Sequence, residues 1–437
     1  MGTSSSDLAI PFVGALQASV SVLLTIFYGV LAAQFKLLSS NGAKEVSNTC
    51  VRMFLPALLI FKVGSELQQG TAIRYVPILI WALFYNLLSV GIGVVTTKVL
   101  KLPSWATPAL AFNNTTSLPL LLIQSLDATG ILDLILTDGD SSSEAVKRAQ
   151  SYFLINSMVS NSLTFALGPR LLRPGDEDAP DDDETSDSDD NNNDDDEEEQ
   201  SNLLPGELID EETSLLPSRL VHHTNHHARK TYLTTNKRFQ RLPPWSQSTL
   251  TFLYEFANAP LLGALAGAFI GLIPALHRLF FNEFTHGGYV NAWLTTSIKN
   301  IGDLFASLQI IVVGVKLSQS IRKMKRGEDS GPFSWTSFVF ITLVRFVVWP
   351  LISIPFIYAL CTRTSLLDAD PMLWFAMMLM PTGPPAMILV ALADVNGSPE
   401  REKMAIAKFL TASYAVTPLI CFAVVGALKA GEAAVGR

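Results

Sequence analysis

The chain has 437 residues, 49% of them hydrophobic and only 16% charged, against roughly 25% charged in an ordinary soluble domain. Sixteen of its 39 acidic residues fall within positions 176–199, a window without Lys or Arg, and without those sixteen charges the net charge of −8 becomes +8. A mean hydropathy of +0.33 that still includes this window argues against a soluble enzyme, a fibre or a secreted disulfide scaffold.

In chain order, the first apolar run, 8–35, lacks a basic leading region and is too long for a cleaved signal, so it reads as a membrane helix. A bilayer core needs about 20 mostly apolar residues per helix. That rule gives about ten spans, near 9–33, 46–67, 75–97, 105–126 and 150–168, then 256–276, 296–318, 334–360, 371–393 and 404–428. Between the two sets of five lies 170–248, rich in Asp, Glu and Asn with few apolar residues, which cannot bury a core and is expected to be disordered. The chain therefore divides into 1–169, 170–248 and 249–437. Cys50, Cys361 and Cys421 all sit in apolar runs and are odd in number, which supports neither a disulfide framework nor a metal site. With the N-terminus outside or lumenal, 14 Lys and Arg border the cytosolic side and 8 the other. That bias puts both termini outside and the acidic loop in the cytosol.

Five spans per half is an odd number, so two homologous halves must insert upside down relative to each other. Positions 54–67 laid on 304–317 match at Leu58/Leu308, Ile60/Ile310, Val63/Val313, Gly64/Gly314 and Leu67/Leu317. The fourth span carries Asn113, Asn114, Thr115, Thr116, Ser117, Leu118 and Pro119; the ninth carries Pro381, Thr382, Gly383, Pro384 and Pro385. Both are polar, proline-containing breaks at corresponding places in the two halves. Proline removes a backbone donor, and Asn, Thr and Ser offer competing hydrogen bonds. Freed backbone groups cannot face lipid, so each break must sit against protein or a water-filled cavity. Paired breaks point to a secondary transporter's substrate site, where half-helix N-termini suit an anion. The plainer reading is a pair of structural kinks.

With those two breaks, Ile301-Gly302-Asp303 leading into the seventh span and Val313-Gly314-Val315-Lys316-Leu317 closing it, the chain resembles the auxin efflux carrier superfamily. Within that superfamily it is most similar to the fungal and PIN-like branch. The resemblance covers about 1–170 and 250–430 and omits the acidic loop. It implies an all-α integral membrane protein of ten transmembrane helices, built as two inverted five-helix repeats with crossed, broken fourth and ninth helices, similar to bile-acid/sodium symporters. It also implies carriage of an auxin-like organic anion, a small aromatic ring with a carboxylate. The positions carried over are Asn113, Asn114 and Pro119, then Pro381, Thr382, Pro384 and Pro385, with Pro119 matching either Pro384 or Pro385; Thr116, inside the fourth-span break, is a further candidate for the crossover site. The family's fourth-span motif is often Gly-rich around its Asn; here Phe112 precedes Asn113 and Thr115-Thr116-Ser117 follow Asn114.

Ionisable groups inside spans are costly and suspect by default. Lys299 and Asp303 open the seventh span four residues apart, so they share a helix face and make a coupling-ion candidate or an interfacial pair. Arg345, mid-run in the eighth span, reads either as an anion contact or as a partner for a buried acid or carbonyl. Lys62 and Glu66 read as a span-end pair. In the fifth span Tyr152, Asn156, Ser160 and Asn161 share one face, lining a cavity or bonding a neighbouring helix. Gly263, Gly267 and Gly271 recur every four residues, a close-packing face. In the loop, His222, His223, His226 and His227 read as an incidental cluster, and two acidic dileucines end at Leu203-Leu204 and Leu215-Leu216. The sequon at Asn396 is on the expected cytosolic side.

No nucleophile–base constellation or phosphate loop appears, so the chain is not expected to be an enzyme or to hydrolyse ATP. The expected function is a secondary transporter moving a small organic anion by alternating access; the alternative is a membrane metabolite sensor or adaptor signalling through the cytosolic loop. Asn113 and Asn114 would bind the carboxylate or a coupling water, the prolines would hold the backbone open, and Thr382 would supply a hydroxyl. No cofactor or metal is expected. The partners are the anion, the lipid bilayer, sorting adaptors at the loop and a second copy of the chain as a homodimer, with no nucleic acid. The PIN-like resemblance favours the endoplasmic reticulum, and the acidic dileucines favour a vacuolar or endolysosomal membrane.

Overall fold

Long apolar runs without strand alternation form helices here because hydrocarbon offers no water to satisfy a bare backbone. The computed structural model describes residues 5–67, 72–136, 140–172, 243, 259–326, 334–395 and 398–435. All of these except Pro243 belong to one compact unit, Met1–Arg173 with Phe256–Arg437. The segment expected to be disordered from 170 is still helix at 170–172; the rest of 170–248 apart from Pro243, with the histidine cluster, both dileucines and Asn396, falls outside the described residues.

Every regular element among the described residues is helical. In chain order they are α1 (Ser5–Gln34), α2 (Asn41–Glu66), α3 (Val76–Val99), α4 (Ala106–Ala111), α5 (Ser117–Ala128), α6 (Ser142–Leu172) and α7 (Ala259–Leu272). Then come α8 (Pro274–Phe281), α9 (Thr296–Lys325), α10 (Trp335–Arg363), α11 (Pro371–Leu379), α12 (Ile388–Val395), α13 (Glu400–Ala415) and α14 (Ile420–Val435). Among the described residues six helical stretches are long and apolar enough to cross a membrane, seven if the bent pair α7–α8 counts as one span. The other expected spans are helices that are broken (α4–α5 and α11–α12) or carry polar groups (α6).

Proline explains most departures from the expected boundaries. The sixth span was expected to run to 276, but α7 stops at Leu272 and turns by 103° into α8, where Ile273 is extended and Pro274 starts the new helix. The tenth expected span, 404–428, is instead α13 and α14 joined by a tight 3-10 turn, Thr417–Leu419, around Pro418. Inside α2 and α10 the chain widens to π-helix at Cys50–Phe54 and Val344–Val348, each ending two residues before a proline, Pro56 and Pro350. A missing N–H and a displaced carbonyl one turn back are accommodated by the wider turn.

Glycines set the closest helix contacts. α1 packs on α9 and α2 on α7. A Cβ on Gly314 would fall 2.0 Å from the Ile26 carbonyl oxygen and 2.8 Å from the Gly29 Cα. On the other pair, a Cβ on Gly271 would lie 2.8 Å from the Gly64 carbonyl oxygen, and Gly263 and Gly267 rest on the backbones of Pro56 and of Leu59 and Ile60. The four-residue glycine repeat is thus a packing face. An aromatic seam joins α3 to α10: Trp81 stacks on Phe356 with ring centroids 5.3 Å apart, and Tyr85 meets Trp349 edge-on at 5.9 Å.

Candidate functional site at the crossing of two broken helices

Helix α4 ends where Phe112 turns extended (φ −115°, ψ 125°), and helix resumes at Ser117. α11 ends at Leu379 and helix resumes at Ile388. The two gaps run antiparallel and bond to each other. The Asn114 N–H donates to the Pro384 carbonyl at 2.9 Å, the Ala386 N–H donates to the Phe112 carbonyl at 2.9 Å, and Asn113 bridges Pro385. Gly383 makes the turn possible, with φ +133°, a conformation that side chains with a Cβ rarely adopt.

The carbonyls released at the end of α11 are taken up one by one, as buried backbone groups must be. Trp81 Nε1 donates to Met377 (2.9 Å), Ser353 Oγ to Met378 (2.6 Å), and Arg345 Nη1 to Pro381 (3.1 Å). Asn113 Nδ2 donates to Met380 (3.1 Å) and Thr382 (3.3 Å). Asn113 is therefore first a clamp between the breaks. Asn114 is held differently: its Nδ2 donates to the Tyr414 hydroxyl at 2.9 Å, and its Oδ1 accepts from Ser117 Oγ at 3.2 Å.

A cleft enclosing about 540 Å³ of empty space, its mouth included, lies against this crossing. Its polar wall is residues 113–117 with Asn161 and Gln309; its apolar wall includes Leu55, Phe165, Phe305 and Val313. The N-termini of α5 and α12 both border it, through Thr116 and Ser117 and through Met387 and Ile388. Half-helix N-termini carry partial positive charge and favour anions. Asn113 Oδ1, Thr115 Oγ1, Thr382 Oγ1 and Gln309 Oε1 are buried without a hydrogen-bond partner in the protein, which marks this region as a site rather than a filled core. Among the described residues, no charged side chain lines the cleft.

The expected crossover residues come together, with two changes of role. Pro119 does not hold the gap open; it stands in the first turn of α5, where its missing N–H has no partner to lose. Thr116 accepts from Asn161 Nδ2 at 3.3 Å, so it ties α5 to α6 as well as facing the cleft. Lys299 and Asp303 are not at the crossing. Asp303 lines a second, smaller cleft with Lys62, Gln124 and Gln150, whereas the Lys299 ammonium stands 5.7 Å over the Phe61 ring. Lys62 donates to Gln150 on α6 at 2.9 Å, with the charges of Asp303 and Glu66 near it.

Of the polar face of α6, three residues bond neighbours within the bundle: Tyr152 to Asp370, Asn156 to Tyr85, and Ser160 to Asn86. Asn161 lines the cleft. Sequence reasoning passed over Tyr414 and Gln309. Gln309 was signalled by a lone amide in an apolar run; Tyr414 carried no signal, because its partner is 300 residues away.

The chain is similar in sequence to known membrane transport proteins. An uncharacterized transporter of Schizosaccharomyces pombe is 26% identical over 421 residues, covering 92% of this chain and 91% of that protein. Protein PIN-LIKES 2 of Arabidopsis thaliana is 26% identical over 149 residues, 34% of this chain and 30% of that protein. A model of the family described as membrane transport protein matches residues 15–422. The chain belongs to this membrane transport family, the auxin efflux carrier family, and is a multi-pass protein of the lipid bilayer.

Proposed function

We propose that the protein is a secondary transporter that moves a small aromatic carboxylate across its membrane by alternating access at the crossing of α4–α5 and α11–α12. The observation that carries this reading is the cleft itself. It has an apolar half with two phenylalanines for a ring and a polar half with two helix N-termini for a carboxylate. Asn114 and Thr116 would face the carboxylate, Asn113 and Thr382 would hold the crossing together, and Pro381, Pro384 and Pro385 would keep the backbone free of helix. Asp303, on the second cleft beside Lys62, is the candidate for ion or proton coupling.

The reading includes ten spans in two inverted repeats. Two features support the repeat: the breaks pair with each other, and the glycine contacts repeat in kind. Gly314 of the second half meets Gly29 of the first, and Gly64, its equivalent in the alignment of 54–67 with 304–317, meets Gly271 of the second half. The resemblance to PIN-like proteins favours the endoplasmic reticulum membrane, with the termini lumenal and the acidic loop cytosolic.

The test is uptake by proteoliposomes holding the full-length protein, with a panel of aromatic and aliphatic carboxylates and with or without a pH gradient. Saturable uptake of aromatic carboxylates, lost in Asn114→Ala at equal protein content, supports the reading. Uptake by Asn114→Ala equal to that of the unaltered protein overturns the site assignment. Indifference to the gradient removes proton coupling.

A further inference from the structure

Arg345 lies in the π-turn Val344–Val348 of α10 and is 0% exposed. Its Nη1 donates to the Pro381 carbonyl at 3.1 Å, while Nε and Nη2 are buried with no hydrogen-bond partner in the protein. No described acidic side chain forms an ion pair with it. Tyr85, which stands near it, is neutral. A guanidinium buried with one carbonyl and no counter-charge is costly at this depth, so the fold retains it against a steady penalty.

Its place suggests what it does. Pro381 precedes Thr382, whose carbonyl accepts from Asn113 Nδ2, and Asn113 lines the crossover cleft. The guanidinium is thus one peptide and one side chain behind a binding space whose own wall is uncharged. A fixed charge in a low-dielectric setting acts over such distances with little screening. A rival role exists: a cation at the C-terminal end of α11 would favour the helix dipole. That role explains the bond to Pro381 but not two further donors buried without acceptors.

We infer that Arg345 is the fixed positive charge that makes the crossover cleft select anions, acting through its field as a specificity-determining residue without touching the ligand. This inference rests on reading the cleft as the substrate site.

The experiment measures equilibrium binding of an arylacetate and of its uncharged arylacetamide to the full-length protein in detergent at pH 8, and reads the ratio of the two affinities. Arg345→Lys keeps the charge and is expected to keep the ratio within about threefold. Arg345→Met is expected to lower it by about tenfold or more. Asn156→Asp adds a near-isosteric acid beside Tyr85, to which Asn156 is already bonded at 3.0 Å. It leaves the Pro381 bond in place, and because Tyr85 lies within the field of Arg345, an ionised acid beside Tyr85 offsets that field. The same loss is expected there, with amide binding unchanged. A folded Asn156→Asp variant with the ratio intact overturns the inference, and so does Arg345→Lys falling as far as Arg345→Met. If Arg345→Met does not fold, Asn156→Asp decides alone. Failure of the unaltered protein to bind either compound, or normal binding by Asn114→Ala, overturns the site reading instead. Loss in Asn114→Ala with an intact ratio in Asn156→Asp overturns only the role of Arg345.

Discussion

The side-chain amide of Asn114 donates to the hydroxyl of Tyr414 at 2.9 Å, joining the first helix break to α13 across 300 positions of chain. Tyr414 is fully buried and keeps its own O–H proton to donate, while the other end of the Asn114 amide is held by Ser117. The pair fixes the orientation of Asn114 in the cleft wall. Removing the hydroxyl with Tyr414→Phe leaves the Asn114 donor without its acceptor, a loss worth about 1–3 kcal/mol when buried. We expect transport to fall about tenfold in Tyr414→Phe and to vanish in Asn114→Ala, with protein abundance unchanged in both. Uptake normalised to protein content checks this. Full uptake in Tyr414→Phe would mean that the bond is incidental to the site.

Gly383 is the second point where the crossing depends on one residue. Its φ of +133° is strained for any residue with a Cβ, yet the nearest atom a Cβ would meet is Asn113 Nδ2 at 3.9 Å. Space is therefore available and only backbone conformation resists substitution. Gly383→Ala should cost about 1–3 kcal/mol and displace Pro384 and Pro385 from Asn113 and Asn114. A lowered melting temperature together with lost uptake is the expected result. An unchanged melting temperature would show that the turn relaxes freely.

The helix breaks were legible in the sequence because their cause is local. Proline, Asn and Thr compete with helix wherever they stand, so 113–119 and 381–385 announced themselves. What the breaks touch was not legible. Nothing near Asn113 in the chain says that it donates to the carbonyls of Met380 and Thr382, or that Arg345 takes the one between. Local rules also fell short in two places. Lys299 and Asp303 have helical spacing, but that spacing does not say that Lys299 stands over Phe61 or that Asp303 lines a cleft with Lys62. Pro119 looked like part of the interruption and instead opens α5 on its far side, since a proline in a first turn favours helix. Charge drew attention to Asp303, and the neutral Gln309, which lines the crossover cleft, went unnoticed beside it.

The contact of α1 with α9 predicts a sharp contrast between two glycines. At Gly314 an added methyl would collide with the backbone of α1, 2.0 Å from the Ile26 oxygen and 2.8 Å from the Gly29 Cα. No rotamer change relieves that, so the helices must separate. Gly314→Ala should destabilise the fold by about 1–3 kcal/mol or more. At Gly91 in α3 nothing lies within 4 Å of an added Cβ. Gly91→Ala should be neutral, or stabilising by up to about 1 kcal/mol. Thermal melts of the two variants in one detergent compare them directly, and equal effects would refute the packing account.

At the rim, Arg148 near the start of α6 links two acids from different parts of the chain. Its Nη1 meets Asp140 Oδ1 at 3.0 Å and its Nε meets Asp370 Oδ2 at 3.3 Å. Asp370 also accepts from Tyr152 Oη at 2.6 Å and caps α11 through the Met372 N–H at 3.0 Å. The cluster thus fastens α6 to the beginning of the helix that leads into the crossing. The hydrogen bond from Arg148 holds the Asp140 carboxyl below its usual range. A depressed carboxylate pKa adds stability that is fully present above the unfolded value of about 3.9. That stability is lost as pH falls through the folded value. Asp140→Asn should therefore melt at a lower temperature than the unaltered protein at pH 7. The difference should shrink below about pH 4 and vanish once Asp140 is protonated in both states. Melting curves from pH 3 to pH 8 test this, and a difference that persists undiminished at the acid end would rule out the ion pair as its source.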